Sequence, residues 1–528
     1  MDERDEREQV PVGPPDGATA AAEAGTAHGA RAAEASGTDH AGTAAPDDGS
    51  DHDTRFFGQP WALAHIFGVE MWERFSFYGM QVVMTFYLYF SVSEGGLGLP
   101  QPTALGIIGA YGGTVYLCTI LGAWLADRLL GSERVLFYSA IVIMAGHVAL
   151  AALPGFAGVG VGLVLVALGS GGLKANATSV IGTLYSAKDP RRDAGFSLFY
   201  LGINLGAFFG PIITGAVRDI AGFHWAFLVA AIGMGLGLLQ YSFGRKSLPP
   251  QSRVIPNPLP KKRYPVVIGV AIAGLAALAV LVLTGVVNAD NLSASVAIVT
   301  VVAAVAYFAV ILTSRLISAD ERSRVFGFIP LFITSTAFWS LYQQQFTVVP
   351  VYSESKLDRT FFGWTMPPEW VQSINPVFII VLSGVFAAIW TKLGDRQPST
   401  PVKFGVGTIL MGCAFLLFLP FAGGGANSTP LLAMVGILFV FTVAELLVSP
   451  IGLSVTTKLA PDKFHTQMVA LFFLSVALGT SVSGIVAGFY DQENEVPYFT
   501  ILGGLAIVVG AGLLVSVKPV LKLMRGVR

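Results

Sequence analysis

The sequence contains fourteen apolar stretches long enough to cross a lipid bilayer, and this feature constrains the fold more than any other. A helix needs about 17–25 apolar residues to span the ~30 Å hydrocarbon core. The stretches are continuously apolar rather than alternating, which predicts helices and not the strands of a membrane barrel. We therefore predict an all-α polytopic membrane protein with fourteen transmembrane helices, at approximately 61–90, 102–126, 135–154, 158–186, 194–217, 222–243, 264–288, 292–314, 326–352, 371–391, 404–422, 429–457, 464–490 and 498–517.

The composition excludes several other classes of protein. Only 12% of the 528 residues are charged, about half the share found in soluble domains. With a net charge of −1, this excludes a soluble enzyme, a secreted disulfide scaffold and a nucleic-acid-binding protein. The two cysteines, Cys118 and Cys413, lie in apolar stretches, and the sequence holds no H-E-x-x-H motif, phosphate-binding loop or cysteine cluster. We predict no enzymatic activity, no metal ion and no bound cofactor.

The first 55 residues differ sharply from the rest. Residues 1–55 carry thirteen acids and four arginines, and almost no large apolar side chains. Such a segment has nothing to bury, so we predict a disordered acidic tail in the cytoplasm. It lacks the basic and apolar regions of a signal peptide.

The positions of Lys and Arg predict the orientation of the chain in the membrane. With both termini inside, the inner loops and the C-terminal tail hold 23 Lys and Arg residues, and the outer loops hold three. Cytoplasmic loops of membrane proteins carry such an excess of basic residues. We therefore predict a multi-pass protein of the cell (plasma) membrane with both termini in the cytoplasm.

Five charged residues fall inside the apolar stretches: Glu70, Glu73, Arg74, Lys174 and Glu445. A charge at the middle of a bilayer costs about 2.5–3.5 kcal/mol on insertion scales, so these groups are not expected to face lipid. They should converge on a hydrated cavity or on one another. A transport pathway or proton relay is the primary interpretation, and a purely structural cluster of ion pairs is the alternative.

The order of the stretches predicts two halves of six helices with an insertion between them. A site at the interface between such halves is typical of transporters. The predicted organisation is a tail at 1–55, a bundle at 56–243, a basic linker with two extra helices at 244–325, a second bundle at 326–517 and a C-terminal cytoplasmic tail at 518–528.

Several motifs occur in register along the chain. In the first stretch, Glu70, Glu73, Arg74 and Tyr78 lie on one helix face. The motif stretches are Glu70–Tyr78, Asp127–Gly131, Gly171–Asn176, Phe199–Gly206, Phe338–Trp339, Gln372–Pro376 and Glu445–Gly452. In this combination the chain resembles the bacterial members of the proton-dependent oligopeptide transporter family, within the major facilitator superfamily.

This resemblance implies the import of di- and tripeptides driven by the proton gradient, with the lipid bilayer and small peptides as partners. It implies that Arg74 and Lys174 bind the peptide carboxylate, while Asn204, Asn375 and Glu445 hold its amino end. The remaining predicted substrate contacts are Tyr78, Tyr116, Trp339 and Ser449. Asparagines and tyrosines in membrane helices also serve as interhelical hydrogen-bond partners, so a structural role remains open for each.

Proton coupling requires a carboxylate whose proton affinity changes between states. Glu70 and Glu73 lie within a turn of Arg74, so a substrate that engages Arg74 would weaken its hold on both acids. Lys174 and Glu445 could pair in the same way, and the opening of that pair would free both for substrate. Protons are the predicted coupling ion.

Four positions depart from the family pattern: Phe77, Gln81, Gln343 and Phe472 stand where Tyr, Arg, Glu and Trp are common. In the family, the Arg and Glu at positions 81 and 343 pair across the outer gate. Two glutamines could still hydrogen-bond there as a weaker latch.

Two other functions stay open at this point. The chain could transport or export a modified peptide or a peptide-like natural product, or it could be a peptide sensor that binds without transport. We expect a monomer with no nucleic-acid partner.

Overall fold

The structure, a computed structural model, describes residues 53–186 and 189–527, so all but three residues of the predicted acidic tail lie outside it. The described part is mostly helical and confirms the predicted all-α fold. Its long helices are α1 (Trp61–Tyr89), α2 (Gln101–Leu125), α3 (Ser132–Ala152), α4 (Gly155–Gly182), α5 (Arg192–Ala221), α6 (Phe223–Gly244), α7 (Tyr264–Leu283), α8 (Leu292–Thr313), α9 (Ala319–Tyr342), α11 (Ile374–Leu393), α12 (Thr400–Leu416), α13 (Leu431–Leu459), α14 (His465–Ala487) and α15 (Val496–Val515).

Short elements connect these helices. Two short helices are α10 (Val348–Ser355) and α16 (Val517–Leu523), and the strands are β1 (Leu357–Asp358), β2 (Thr360–Phe361), β3 (Trp364–Thr365) and β4 (Thr429–Pro430). Strand β1 pairs in parallel with β4, and β2 pairs antiparallel with β3. Two 3₁₀ turns carry residues that line the cavity: Gln343–Phe346 after α9, and Pro368–Ser373 before α11.

Length and composition explain why these segments are membrane helices. Thirteen helical segments of the described residues are long and apolar enough to cross a membrane. Helix α1, with 29 residues, is the fourteenth long helix and carries Glu70, Glu73 and Arg74. An apolar helix satisfies its own backbone hydrogen bonds, which is what a bilayer requires.

Proline and glycine set several helix boundaries. Helices α1, α2, α4 and α13 each follow a proline, namely Pro60, Pro100, Pro154 and Pro430. Proline is favoured there because the first turn of a helix leaves its amide groups unpaired. Gly222 has a φ of 92°, which glycine adopts readily, and it separates α5 from α6.

Two hydrophobic clusters divide the molecule. One consists of buried side chains from residues 62–248 together with Phe346. The other consists of buried side chains from residues 304–524 together with Leu105. The C-terminal segment predicted as a tail contributes to the second cluster through Val520 and Met524, because α16 packs beneath α9 and α12.

The two sets of helices meet mainly through α2 against α14 and α5 against α11. Gly109 of α2 lies so close to Gly484 of α14 that a side chain on either would overlap the other backbone. Small residues at such crossings allow membrane helices to approach closely.

The two extra helices differ in their packing. Helix α8 packs against α14 and α2, and its Ser293 hydroxyl donates to the carbonyl of Ser481 at 2.9 Å. Every residue of α7, by contrast, is exposed or half-exposed, as expected for a helix surrounded by lipid.

Candidate functional site

A cavity of about 210 Å³ lies between the two sets of helices. Residues of α1, α2, α4 and α5 form one side, which we call the N-terminal wall, and residues of α9, α11 and α13 form the other, the C-terminal wall. Predicted site residues that line this cavity are Tyr78, Gln81, Tyr116, Lys174, Asn204, Trp339, Gln343, Asn375, Glu445 and Ser449.

The structure places Arg74 in a buried ion cluster directly behind the N-terminal wall rather than on the cavity surface. Its Nε and a terminal nitrogen donate to Glu70 Oε1 at 2.8 and 2.6 Å, and Nε lies 3.2 Å from Glu73 Oε2. Ser170 of α4 donates a short hydrogen bond to Glu73 Oε1. The second oxygen of Glu70, Oε2, is buried without a hydrogen-bond partner. Glu73 Oε2 likewise has no hydrogen-bond partner among the described residues, so Arg74 and Ser170 each satisfy one oxygen of one carboxylate.

Lys174 lies between two aromatic rings. Its ammonium is 4.7 Å from the ring of Phe77 and 4.9 Å from the ring of Tyr116. The departure at position 77 thus leaves an apolar ring, stacked on Tyr111 at 5.8 Å, whose face can still attract the cation.

Lys174 and Glu445, both within the described residues, do not form the predicted ion pair. The pair is not made because the two groups are held on opposite walls. Glu445 Oε2 accepts from the amide of Asn375 at 3.3 Å, and the same amide donates to Thr442 at 2.9 Å. Tyr342 donates to the side-chain oxygen of Asn375 at 3.4 Å. The acid of the C-terminal wall is therefore held by neutral groups.

The remaining predicted contacts surround this space. Asn204 donates to the carbonyl of Tyr200 at 2.9 Å, which leaves its side-chain oxygen available. The ring of Tyr78 stacks on Phe346 from the other half at 5.7 Å. Trp339 packs edge-on against Tyr342 at 5.2 Å.

The prediction that Gln81 and Gln343 form a hydrogen-bonded latch is wrong for this state. Gln81 Oε1 is buried without a partner, and the Gln343 side chain lies beside the hydroxyl of Tyr116. Phe472 lies away from the cavity, where its ring fills the space that Gly452 leaves on α13.

Closure of the cavity toward the predicted outer end comes from residues that the sequence analysis did not single out. Arg218, at the end of α5, donates two hydrogen bonds of 2.8 Å to Glu369, which is fully buried. Trp370 and Ser373 donate to carbonyls of α5, and Thr85 of α1 donates to the carbonyl of Phe346. The sequence signal was present: Arg218 is one of only three basic residues in the predicted outer loops.

Further cavity residues lie on and beside the turns and were not among the predicted site residues. Gln345 and Gln372 line the cavity together with Tyr200, Tyr342 and Phe346. Three consecutive glutamines at 343–345 within an otherwise apolar stretch were the available signal.

Comparisons of the sequence and of the structure with known proteins all find members of one transporter family. A family model described as the POT family matches residues 133–502. The chain is 41% identical to an uncharacterized transporter, YclF, of Bacillus subtilis, over 89% of this chain and 96% of that protein. It is also 41% identical to a di-/tripeptide transporter of Lactococcus lactis subsp. cremoris, over 90% of this chain and 99% of that protein. A crystal structure of the peptide transporter POT in complex with sulfate superposes with a TM-score of 0.86 at 40% identity, covering 92% of this chain and all of that one.

Proposed function

The chain belongs to the POT family, and from that premise we propose that it takes up di- and tripeptides together with protons, by alternating access between its two six-helix halves. Its similarity to peptide transporters over most of both chains supports peptide as the substrate. The excess of basic residues in one set of loops supports cytoplasmic termini.

One observation carries this proposal. A cation and an anion lie on opposite walls of one cavity and do not form an ion pair with each other. The ammonium of Lys174 faces two rings, and the carboxylate of Glu445 is held by the amide of Asn375. A peptide zwitterion has a carboxylate at one end and an ammonium at the other, so it can bridge the two walls. A charged hydrogen bond at each end contributes about 1.5–3 kcal/mol.

The size of the cavity favours a small ligand. Its volume of about 210 Å³ is below the ~300–1,000 Å³ of common small-molecule pockets. Aromatic and aliphatic side chains such as Phe77, Ile203 and Ile379 form much of its surface. A short peptide could therefore place an apolar side chain against the walls while its two ends meet the charges.

The balance of charge supports proton coupling. Three acids and two bases lie in and behind the cavity, namely Glu70, Glu73, Glu445, Arg74 and Lys174. When all are ionised they sum to −1, and a zwitterionic peptide adds nothing to that sum. Because an uncompensated charge in a low-dielectric interior is costly, uptake of one proton would neutralise the loaded site.

The ion cluster offers a way for substrate and proton to influence each other. The bonds from Arg74 to Glu70 favour the ionised form of that acid. If a peptide carboxylate bound by Lys174 also draws Arg74 toward the cavity, Glu70 loses its partner and gains affinity for a proton. Proton and peptide binding would then be mutually favourable, as linkage requires.

Uptake into proteoliposomes is the direct test. The full chain would be reconstituted and the uptake of labelled dialanine measured with and without an imposed inward proton gradient. We expect accumulation only with the gradient, and an alkaline shift outside the vesicles as peptide enters.

A matched pair of arginine variants makes the test specific. Arg315→Ala changes an exposed arginine in a loop and should behave as wild type, whereas Arg74→Ala should not accumulate peptide. Binding of dialanine without uptake in wild-type vesicles would instead identify a sensor, and gradient-independent equilibration would refute coupling.

A further inference from the structure

Four glutamines gather at the outer end of the cavity. They come from three elements: Gln81 from α1, Gln343 and Gln345 from the turn after α9, and Gln372 from the turn before α11. Gln372 donates a short hydrogen bond to the carbonyl of Gln345, which ties the two turns together. We call these four residues the amide roof.

Three polar atoms of the amide roof and its neighbour Trp339 have no hydrogen-bond partner among residues 53–186 and 189–527. They are the acceptor Gln81 Oε1 and the donors Gln345 Nε2 and Trp339 Nε1, on residues that are 3%, 2% and 6% exposed. Tyr342 lies beside Gln345 and Glu445, and its hydroxyl donates a long hydrogen bond of 3.4 Å to Asn375. Buried polar groups are normally paired, so each of these atoms is expected to have a partner during function.

Charge compensation sets the class of partner. In the proposed function, Lys174 binds the peptide carboxylate and Glu445 binds the peptide ammonium. Beyond the roof, Arg218 and Glu369 satisfy each other through two hydrogen bonds of 2.8 Å. A charged side chain entering the roof would therefore meet only amides and an indole, and a buried charge without a counter-charge is strongly disfavoured.

We propose that the amide roof is a side-chain subsite that prefers peptides carrying a carboxamide side chain, that of Asn or Gln; this inference rests on the proposed function. A carboxamide oxygen can accept from Gln345 and Trp339, and its NH₂ group can donate to Gln81. A carboxylate offers no donor to Gln81 Oε1 and would be a buried charge without a counter-charge, and an ammonium would face two donors. A methionine side chain has a similar length but leaves all three atoms unpaired.

Equilibrium binding to the detergent-purified full chain tests this preference independently of transport. The probes are alanyl-glutamine and alanyl-methionine, titrated by calorimetry, since their side chains are of similar length and differ in hydrogen bonding. A site built for a polar group rejects the analogue that lacks it. We expect alanyl-glutamine to bind about tenfold more tightly, from two net hydrogen bonds.

Variants locate the source of the preference. Gln81→Leu and Gln345→Leu should each reduce the affinity ratio about threefold. Gln251→Leu, which changes an exposed glutamine of the linker, should leave the ratio unchanged. The wild-type ratio needs no variant to fold, so it decides the question even if a substitution destabilises the protein.

The outcomes separate this inference from the proposed function. Equal affinity for both peptides, or a ratio that survives both variants, would overturn the subsite while dialanine uptake still supports transport. Preference for alanyl-glutamine without any uptake would support the subsite and refute transport. Failure of both peptides to bind would overturn the two together.

Discussion

The two walls of the cavity stabilise their charges in different ways. Behind the N-terminal wall, Arg74 contacts Glu70 and Glu73 within 3.2 Å, and charged groups compensate one another. On the C-terminal wall, Glu445 is contacted by the neutral side chain of Asn375, which Thr442 supports. One wall is a network of ions and the other is a single acid in a neutral setting.

This difference predicts that the two walls respond differently to substitution. A network of ions resists the removal of any member, because each loss leaves a buried charge without a partner. A single acid held by amide and hydroxyl groups can be protonated or can accept a ligand ammonium with little rearrangement. Under the proposed function, a disturbance of Arg74 would therefore change the charge balance of the whole N-terminal network, whereas Glu445 could receive the peptide amine without disturbing other ions.

The largest effect is expected from breaking the ion network. Arg74→Ala leaves Glu70 and Glu73 without their cation, and loss of one partner of a buried pair costs about 3–5 kcal/mol. Gradient-driven dialanine uptake should fall by roughly a hundredfold or more, measured as the initial rate in proteoliposomes. Arg74→Lys keeps the positive charge but loses the two hydrogen bonds that the guanidinium group donates to Glu70, and it should retain part of the uptake rate. Near-wild-type uptake by Arg74→Ala would remove the network from the mechanism.

The next largest effect is expected at the predicted outer end of the cavity, where Arg218 and Glu369 join the two halves. Arg218→Gln leaves Glu369 buried without its partner in the closed state, so the outer end should open more often. The measurement is labelling of Ala207→Cys, a cavity position, by an impermeant thiol reagent from outside, in a chain with Cys118 and Cys413 replaced by serine.

We expect labelling of the Arg218→Gln chain to be about tenfold faster or more, since an uncompensated Glu369 carboxylate costs several kcal/mol in the closed state, where it is fully buried. Glu369→Gln should act in the same direction, because it removes the other partner. Equal labelling rates in parent and variants would mean that backbone and ring contacts, such as that of Trp370, hold the outer end closed.

Glu445, the acid of the C-terminal wall, should contribute more to the affinity for peptides with a free amino group than to the affinity for N-acetylated peptides. Glu445→Gln removes a charged acceptor, and a hydrogen bond to a charged group contributes about 1.5–3 kcal/mol against about 0.5–1.5 for a neutral one. Affinity for free-amino peptides should fall about tenfold more than affinity for N-acetylated peptides. Competition against labelled dialanine measures both, and an equal loss would leave Glu445 a purely structural role beside Asn375.

The smallest effect is expected from a double substitution that places a positive charge at position 81 and a negative charge at position 343. In Gln81→Arg with Gln343→Glu, an ion pair across the outer end would favour the closed state, since a bias requires a difference between states. Labelling of Ala207→Cys should slow by a factor of only about two to five, because the cost of burying both charges offsets most of their mutual attraction. Each single change should impair uptake through an unpaired charge. Unchanged labelling in the double variant would show that positions 81 and 343 do not meet in any state.

Much of the site could be predicted from the sequence because its chemistry is local. Charges within apolar helices are rare and costly, so the sequence alone indicates candidate site residues at Glu70, Arg74, Lys174 and Glu445. Helix periodicity placed Glu70 and Arg74 in contact, and the structure has them 2.6 Å apart. The register of the motifs supplied the fold, which the comparisons confirm.

The contacts that the sequence did not predict all join distant segments. The spacing of residues along the chain gives no distance between Arg218 and Glu369, which are 151 positions apart. It equally allowed Lys174 and Glu445 to pair, whereas in the structure each is held on its own wall. The choice between such pairings depends on how the two halves are oriented, and that orientation differs between states of one sequence.

The sequence by itself thus determined the membrane class, the helices, their predicted orientation and the identity of the buried charges, because each follows from the cost of placing polar groups in a bilayer. Only the tertiary structure decided which wall each charge occupies, that Gln81 and Gln345 lie in one roof, and that Arg218 pairs with Glu369. These are contacts between elements far apart in sequence, and they are fixed by packing geometry rather than by local hydrophobicity.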